Sequence, residues 1–367
     1  MTLIAGVVAT GGEAREGWLD VAGEHVTASG FGAPPGTPDL AHDGVIARGL
    51  CDLQVNGAGG VEITAGAAAL DRIDAVMLAH GVTSYLPTVV STEPETATRA
   101  VEDIADRMRD PASPVEGAHL EGPFLSTDFR GRHRREFLRS PAEPLPAYYE
   151  HAAVRLVTIA PELPGAVPLI GALARRGVVV SLGHSGASYE EAGLGVEAGA
   201  RLVTHLFNAM PGLHHRRPGL VGRALLDARL GLGLIADGFH VDRRVLGLVG
   251  RIAAARVVLV TDASPAAGAP AGRYELAGLV MEGTPEGRAQ TLDGLLLGSA
   301  LLLDEAVRRW RDAADVPLAA ALCAAGERPA RALGLPAGFA PGSPADLVLT
   351  TSDGRVERVM RRGAWVA

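Results

Sequence analysis

Eight short apolar runs recur through the middle of the chain: LCDLQV, VTSYLPTVV, VEGAHL, VRLVTIA, VVVSLGH, RLVTHL, GLGLIAD and VVLVTDA. Between most of them lie stretches with helical spacing, at 67–80, 93–108, 165–176, 189–198 and 241–253. Near-continuous apolar strands alternating with helices imply a parallel sheet covered on both faces. Eight such units over roughly 250 residues predict a closed (β/α)₈ barrel of the TIM type. An open doubly wound sheet is the alternative, but no Gly-x-Gly-x-x-Gly follows the first strand. The two ends read differently. LIAGVVAT, WLDVAGEHVTA, ADLVLTT and VERVMRRGAWVA are short strands set between turns. They predict a small β-sandwich domain assembled from residues 1–47 and 336–367, around a barrel spanning 48–335.

The polar positions fall at one point of successive units. Gln54 with Asn56, Thr88, Glu121, Glu162, His184, His205, Asp237 with His240, and Asp262 each stand at the C-terminal end of a predicted strand. In a barrel those ends converge on one mouth, where catalytic groups sit. Taken singly, Glu121 reads as a helix cap or ion-pair partner, and His184 or His205 as a core or turn residue. Together, two imidazoles and one carboxylate at three strand ends match a catalytic metal site, which uses three protein ligands and keeps a fourth position open. Asp262 is either a cap for the following turn or the general base beside the bound water. His119, two residues before Glu121, is expected deeper on the same side, as support for the site or as core.

Composition narrows the partners. A formal charge of −8 argues against nucleic acid or an anionic membrane. In such a chain the arginine cluster RGRHRREFLR (130–139) reads as a solvated face, or as a rim that draws in a small anionic substrate. Only two cysteines, Cys51 and Cys323, lie far apart in sequence. There is no basic signal-like start, and no apolar run approaches the ~18 residues of a membrane span. The expectation is a cytoplasmic protein with free thiols.

Several ordered motifs then become specific. HLEGPFLS (119–126), SLGHSGAS (181–188), THLFNAMPGLHHRRPGLVG (204–222), ADGFHV (236–241), VTDASPAAGAP (260–270) and LLLGSALLLDEAV (295–307) occur in this order. With AHGVTSYLPTVVS (79–91) and ADLVLT (345–350), the sequence resembles the N-acetylglucosamine-6-phosphate deacetylase family of the amidohydrolase superfamily. The resemblance implies metal-dependent hydrolysis of the acetamide of an amino-sugar phosphate. It assigns Glu121, His184 and His205 to the metal and Asp262 to acid/base catalysis. His133 is placed at the acyl carbonyl or sugar, and His240 at the phosphate end. Asn208 and Ala209 offer polar groups to the phosphate. Arg216 corresponds to a phosphate-binding arginine supplied by the neighbouring subunit, which implies a homodimer.

The chain departs from the family pattern in places. Arg48 stands where many amidohydrolases have proline, and Arg217 where an acidic residue follows the phosphate-binding arginine. Arg328-Pro329-Ala330 stands for Asn-Pro-Ala. Gln54 and Asn56 occupy the place of a His-x-His pair. Neutral carboxamides are poor zinc ligands, so they delete half of a two-metal centre and predict one divalent ion per subunit. Zn²⁺ comes first, and Fe²⁺ or Co²⁺ also suit the donors. Two competitors remain. One is an amidohydrolase with a different substrate, such as the galacto epimer of the same phosphate or a cyclic amide; cyclic-amide members commonly use a carboxylated lysine, and this sequence contains no lysine. A non-catalytic binding barrel would be expected to have lost its ligands, and all four key residues are present.

Overall fold

The eight apolar runs form eight parallel strands, each hydrogen-bonded to its neighbours in chain order. They are β1 (Leu50–Val55), β2 (Val82–Val90), β3 (Ala118–Glu121), β4 (Val154–Ile159), β5 (Val179–Leu182), β6 (Leu202–Val203), β7 (Gly231–Leu234) and β8 (Val257–Leu259). A computed structural model describes all 367 residues. Its main core is one cluster of 77 buried apolar residues that joins the strands to the surrounding helices. Trp310 and Tyr85 are among its largest fully buried side chains.

The ends of the sheet meet without a regular ladder. The Asn56 and Gly57 N–H groups both donate to the Ala263 carbonyl, at 2.7 and 3.1 Å. Deeper in the barrel, the buried Asp52 carboxylate clasps the segment just after β8. It accepts from the Thr261 hydroxyl at 2.6 Å and from the Thr261 and Gln54 N–H groups at 3.2 Å. Burial pushes the Asp52 carboxyl up to about 7, and these donors are what limit the rise.

The five helices expected from periodicity lie at Ala67–Ala79, Pro94–Arg107, Ala166–Arg175, Tyr189–Ala198 and Arg243–Ala253. Local chemistry sets their starts. Pro94 opens the second, where a missing N–H costs nothing. Ser188 and Glu191 form a reciprocal capping box on the fourth. Asp242 accepts from the Arg244 N–H on the fifth. The link from β3 to β4 departs from the repeat. It holds only short 3₁₀ turns, at Arg135–Phe137 and Ala147–Glu150, so the arginine cluster lies on a long loop at the barrel mouth.

A second departure follows β8. Gly272–Leu276, Leu279–Gly283 and Ala289–Thr291 form an antiparallel sheet with its own small core, including Leu276, Met281, Ala289 and Leu297. Periodicity did not single it out, because its strands are short and broken by glycine and proline turns.

The chain ends build one seven-stranded sheet. Its order is Ala364–Trp365, Val356–Arg361, Leu347–Thr350, Leu40–Arg48, Thr2–Thr10, Glu13–Ala22, His25–Phe31. The expected sandwich takes the form of this single sheet bent over on itself. His25 bridges Pro344, just before the strand Leu347–Thr350, and a separate core of Ile4, Leu19, Val26, Ile46, Leu347 and Met360 fills the inside. Gly49 passes the chain directly from this sheet into β1. A Cβ there would lie 2.0 Å from the Thr83 hydroxyl, so only glycine fits. Cys51 and Cys323 are free and buried. No helix is long and apolar enough to cross a membrane.

The clasp on Asp52 yields a prediction. Thr261→Val keeps the shape of the side chain but removes the hydroxyl donor from a buried carboxylate. We expect a loss of about 1–3 kcal/mol in stability, seen as a lower denaturant midpoint at unchanged slope. An unmoved midpoint would show that the seam does not depend on this bond.

Candidate active site

Glu121 ends β3 with its side chain inside the barrel, and His184 and His205 follow the ends of β5 and β6. The three meet. His205 Nε2 lies 3.1 Å from Glu121 Oε1 and 3.0 Å from His184 Nε2, and His184 Nε2 lies 3.3 Å from the same oxygen. One ligand atom from each falls within 4.8 Å of the others, and all three residues are buried. His184 Nδ1 lies 3.0 Å from the Phe129 carbonyl, which can only accept, so the ring donates there and turns the Nε2 lone pair inward. Burial holds this imidazole neutral, down to about 4. Burial also works against the charge on Glu121, but the His133, His184 and His205 rings beside it keep its carboxyl well below the usual range. An anionic oxygen and two imidazole nitrogens, crowded with no cationic side chain among them, suit a divalent ion.

The backbone around this centre is strained. His184, His205, Phe207, Ala209 and Asp262 all have positive φ, between 30 and 79°. Each such non-glycine residue costs on the order of 1–3 kcal/mol, and such residues cluster where function requires a fixed geometry. The strained residues sit where β5, β6 and β8 turn out of the barrel.

The two carboxamides take defined posts. Gln54 Nε2 donates to Glu121 Oε1 at 2.8 Å, and Asn56 Nδ2 donates to Asp262 Oδ1 at 2.7 Å. Both are almost fully buried. Asp262 is half-buried, with its carboxyl pushed up to about 6 by burial and by the nearby charge of Glu121. His133 reaches the site from the long loop after β3, with Nε2 3.6 Å from Glu121 Oε2. Its Nδ1 accepts from the Ser91 N–H at 3.3 Å, so in the neutral ring Nε2 carries the proton and faces Glu121.

Glu121, His184, His205, Asn56, Asp262 and His133 line one cavity of about 560 Å³, together with His240, Asn208 and Ala209; Gln54 lies behind it. His240 is held by Asp237, which accepts from its ring Nδ1 at 2.6 Å and from its N–H at 2.8 Å. Asn208 donates its amide to the His205 carbonyl at 3.1 Å. Arg216 is exposed and is not among the residues lining this chain's own cavity.

Not every strand-end polar residue joins them. Glu162 accepts from the Ser185 hydroxyl and the Gly186 N–H, fastening the turn that follows His184. Thr88 accepts from the Val55 N–H and touches His119, which is buried below the site and also bonded to Thr158. Both are structural. Conversely, Ser91, Arg288 and Leu295–Gly298 line the cavity without having been singled out as site residues. The motif at 295–307 signalled the last of these, but the walls it builds depend on the inserted sheet.

Comparison with known proteins fits this geometry. The amidohydrolase family model matches residues 46–366. An N-acetylgalactosamine-6-phosphate deacetylase of Escherichia coli O157:H7 is 38% identical over 324 residues, covering 85% of each chain. An N-acetylglucosamine-6-phosphate deacetylase of Homo sapiens is 39% identical over 311 residues, covering 79% of this chain and 75% of the relative. The solved N-acetyl-D-glucosamine-6-phosphate deacetylase of Mycobacterium smegmatis superposes with a TM-score of 0.93 at 35% identity, covering 100% of both chains. That family implies a divalent metal, for which Glu121, His184 and His205 could supply the ligands. By family model, identity and fold alike, the chain belongs to the amidohydrolase family, in the branch that holds these amino-sugar-phosphate deacetylases.

Proposed function

We propose that the protein hydrolyses the acetamide of N-acetylglucosamine 6-phosphate to glucosamine 6-phosphate and acetate. The observation that carries this reading is the convergence of Glu121, His184 and His205 with Asp262 on one cavity. Relatives that carry this name support it, as does a solved Mycobacterium smegmatis relative in complex with N-acetyl-D-glucosamine-6-phosphate. The galacto epimer is a second reading. It is favoured by the 38% identity to the galactosamine-type deacetylase, which matches the identities to the glucosamine type. Acetate release from the two epimers separates them.

In this reading Glu121, His184 and His205 hold one divalent ion per subunit, with Zn²⁺ first and Fe²⁺ or Co²⁺ also suited to the donors. When bound, such an ion polarises a carbonyl and brings the pKa of water near 7. The rest falls to the chain. Asn56 fixes Asp262 Oδ1 and leaves Oδ2 to take the proton from water as it adds to the acetyl carbon. The His133 Nε2–H donates to the oxygen that gains charge. Asp262 then returns the proton to the sugar nitrogen as the C–N bond breaks, which leaves acetate and a free amine. His240, Asn208 and Ala209 bind the phosphorylated end. Arg216 joins them from the partner subunit of a homodimer, which accounts for its exposed position here. A small-molecule metabolite as substrate fits an enzyme of the cytoplasm.

Three outcomes are expected. Asp262→Asn keeps about one equivalent of metal per subunit by elemental analysis but loses roughly 10²–10⁴-fold in kcat; wild-type turnover would remove Asp262 from the chemistry. Asn56→Leu removes a bond that stabilises the ionised Asp262. The carboxyl pKa rises, and the acidic limb of kcat/KM, which climbs as Asp262 loses its proton, moves to higher pH than in the parent. A pH profile superimposable on the parent's would refute that coupling. Arg216→Ala raises KM for the phosphorylated sugar with little change in kcat. If KM stays put, the phosphate role of Arg216 is wrong.

A further inference from the structure

We propose that Arg288, on the inserted sheet, is a specificity-determining residue that binds the phosphate of the substrate from within the same chain. The proposal rests on the deacetylase reading only for the identity of the anion, a hexose 6-phosphate monoester.

Three arginines line the cavity: Arg132, Arg134 and Arg288. The first two already have acidic partners. Arg132 pairs with Asp293 at 3.2 Å, and Arg134 donates to Glu136 at 2.7 Å. Arg288 makes no ion pair, and its Nε is buried with no hydrogen-bond partner. An unpaired guanidinium nitrogen removed from water is costly unless a ligand completes it. A planar guanidinium fork suits the oxygens of a phosphate, which it can bind through two parallel N–H bonds.

The residue is also held ready. Thr284 and Arg288 close the hairpin between the last two inserted strands, through the Thr284 N–H to the Arg288 carbonyl at 2.9 Å. The guanidinium lies over the Phe239 ring, 5.4 Å from its centroid, which steadies it without neutralising it. The next residue, His240, lines the same cavity with its ring fixed by Asp237. An imidazole and a guanidinium without an ion-pair partner thus line the same cavity. The cavity also carries two carboxylates, Glu121 and Asp262. A doubly charged phosphate is repelled by them, and Arg288 offers it a cation on the inserted sheet. The motif carrying the family resemblance begins at Leu295, beyond this arginine, so the resemblance assigns it nothing.

The test uses the intact metal-loaded enzyme with Arg288→Gln and Arg288→Lys. One arm measures kcat/KM on N-acetylglucosamine 6-phosphate and on N-acetylglucosamine. The glutamine variant should lower the ratio of the two roughly ten- to a hundredfold, through KM, and lysine should restore part of it. The other arm needs no turnover: calorimetric binding of glucose 6-phosphate against glucose. The 6-phosphate preference should fall by a similar factor in the glutamine variant. If the parent deacetylates the sugar phosphate but neither ratio moves in Arg288→Gln, the proposal is overturned and the deacetylase reading stands. If the parent deacetylates neither sugar yet its 6-phosphate preference depends on Arg288, the substrate reading falls and the anion site stands. No 6-phosphate preference in the parent overturns the proposal outright.

Discussion

The active site depends on keeping one carboxylate charged in the interior of a barrel. Glu121 is buried, and a lone anion there would take up a proton rather than remain ionised. It stays ionised because an amide donor and imidazole nitrogens surround it. Gln54 occupies one side of Oε1, His205 and His184 the other, and His133 approaches Oε2. Those groups come from four segments: β1, the turns after β5 and β6, and the long loop after β3. The anion therefore ties β1 and the long loop after β3 to the paired strands β5 and β6, with which they share no ladder. Removing any one donor leaves a charge that the others must hold, so the site tolerates change poorly at its floor.

Much of this was legible in the chain. The apolar runs located all eight strands, and the five helical windows fall within a residue or two of the observed ends. The convergence of Glu121, His184 and His205 was legible for a simple reason: each stands at the mouth-side end of an apolar run. Position along the unit carried the signal, and residue type only refined it. That same rule overreached at Glu162 and Thr88. A strand-end polar residue can turn aside to satisfy a backbone N–H, and nothing local distinguishes the two uses.

What was not legible depends on contacts between distant segments. The inserted sheet is held by a core of five residues that spans Ala266 to Leu297 and lacks a clear period. The support of His184 by the Phe129 carbonyl involves a backbone atom, which every residue possesses. The positive φ values at His184, His205 and Asp262 belong to residues that would avoid that region if left to themselves. Such strain becomes visible only once the surrounding turns are seen to impose it. The posts of Gln54 and Asn56 were half legible. Their position identified them, and their partners, Glu121 and Asp262, came only with the fold.

The inserted sheet after β8 has a consequence for how this protein can change over evolutionary time. The floor of the cavity is built by strand ends whose side chains constrain one another. The wall formed by residues 272–298 rests on a small separate core and a few turns. Substitution or lengthening there alters the shape and charge presented to the outer end of a substrate without disturbing the carboxylate and imidazoles below. One wall of the cavity thus rests on a part of the chain that the strand ends do not build. A lineage could be retuned toward another sugar through its wall while inheriting an untouched floor.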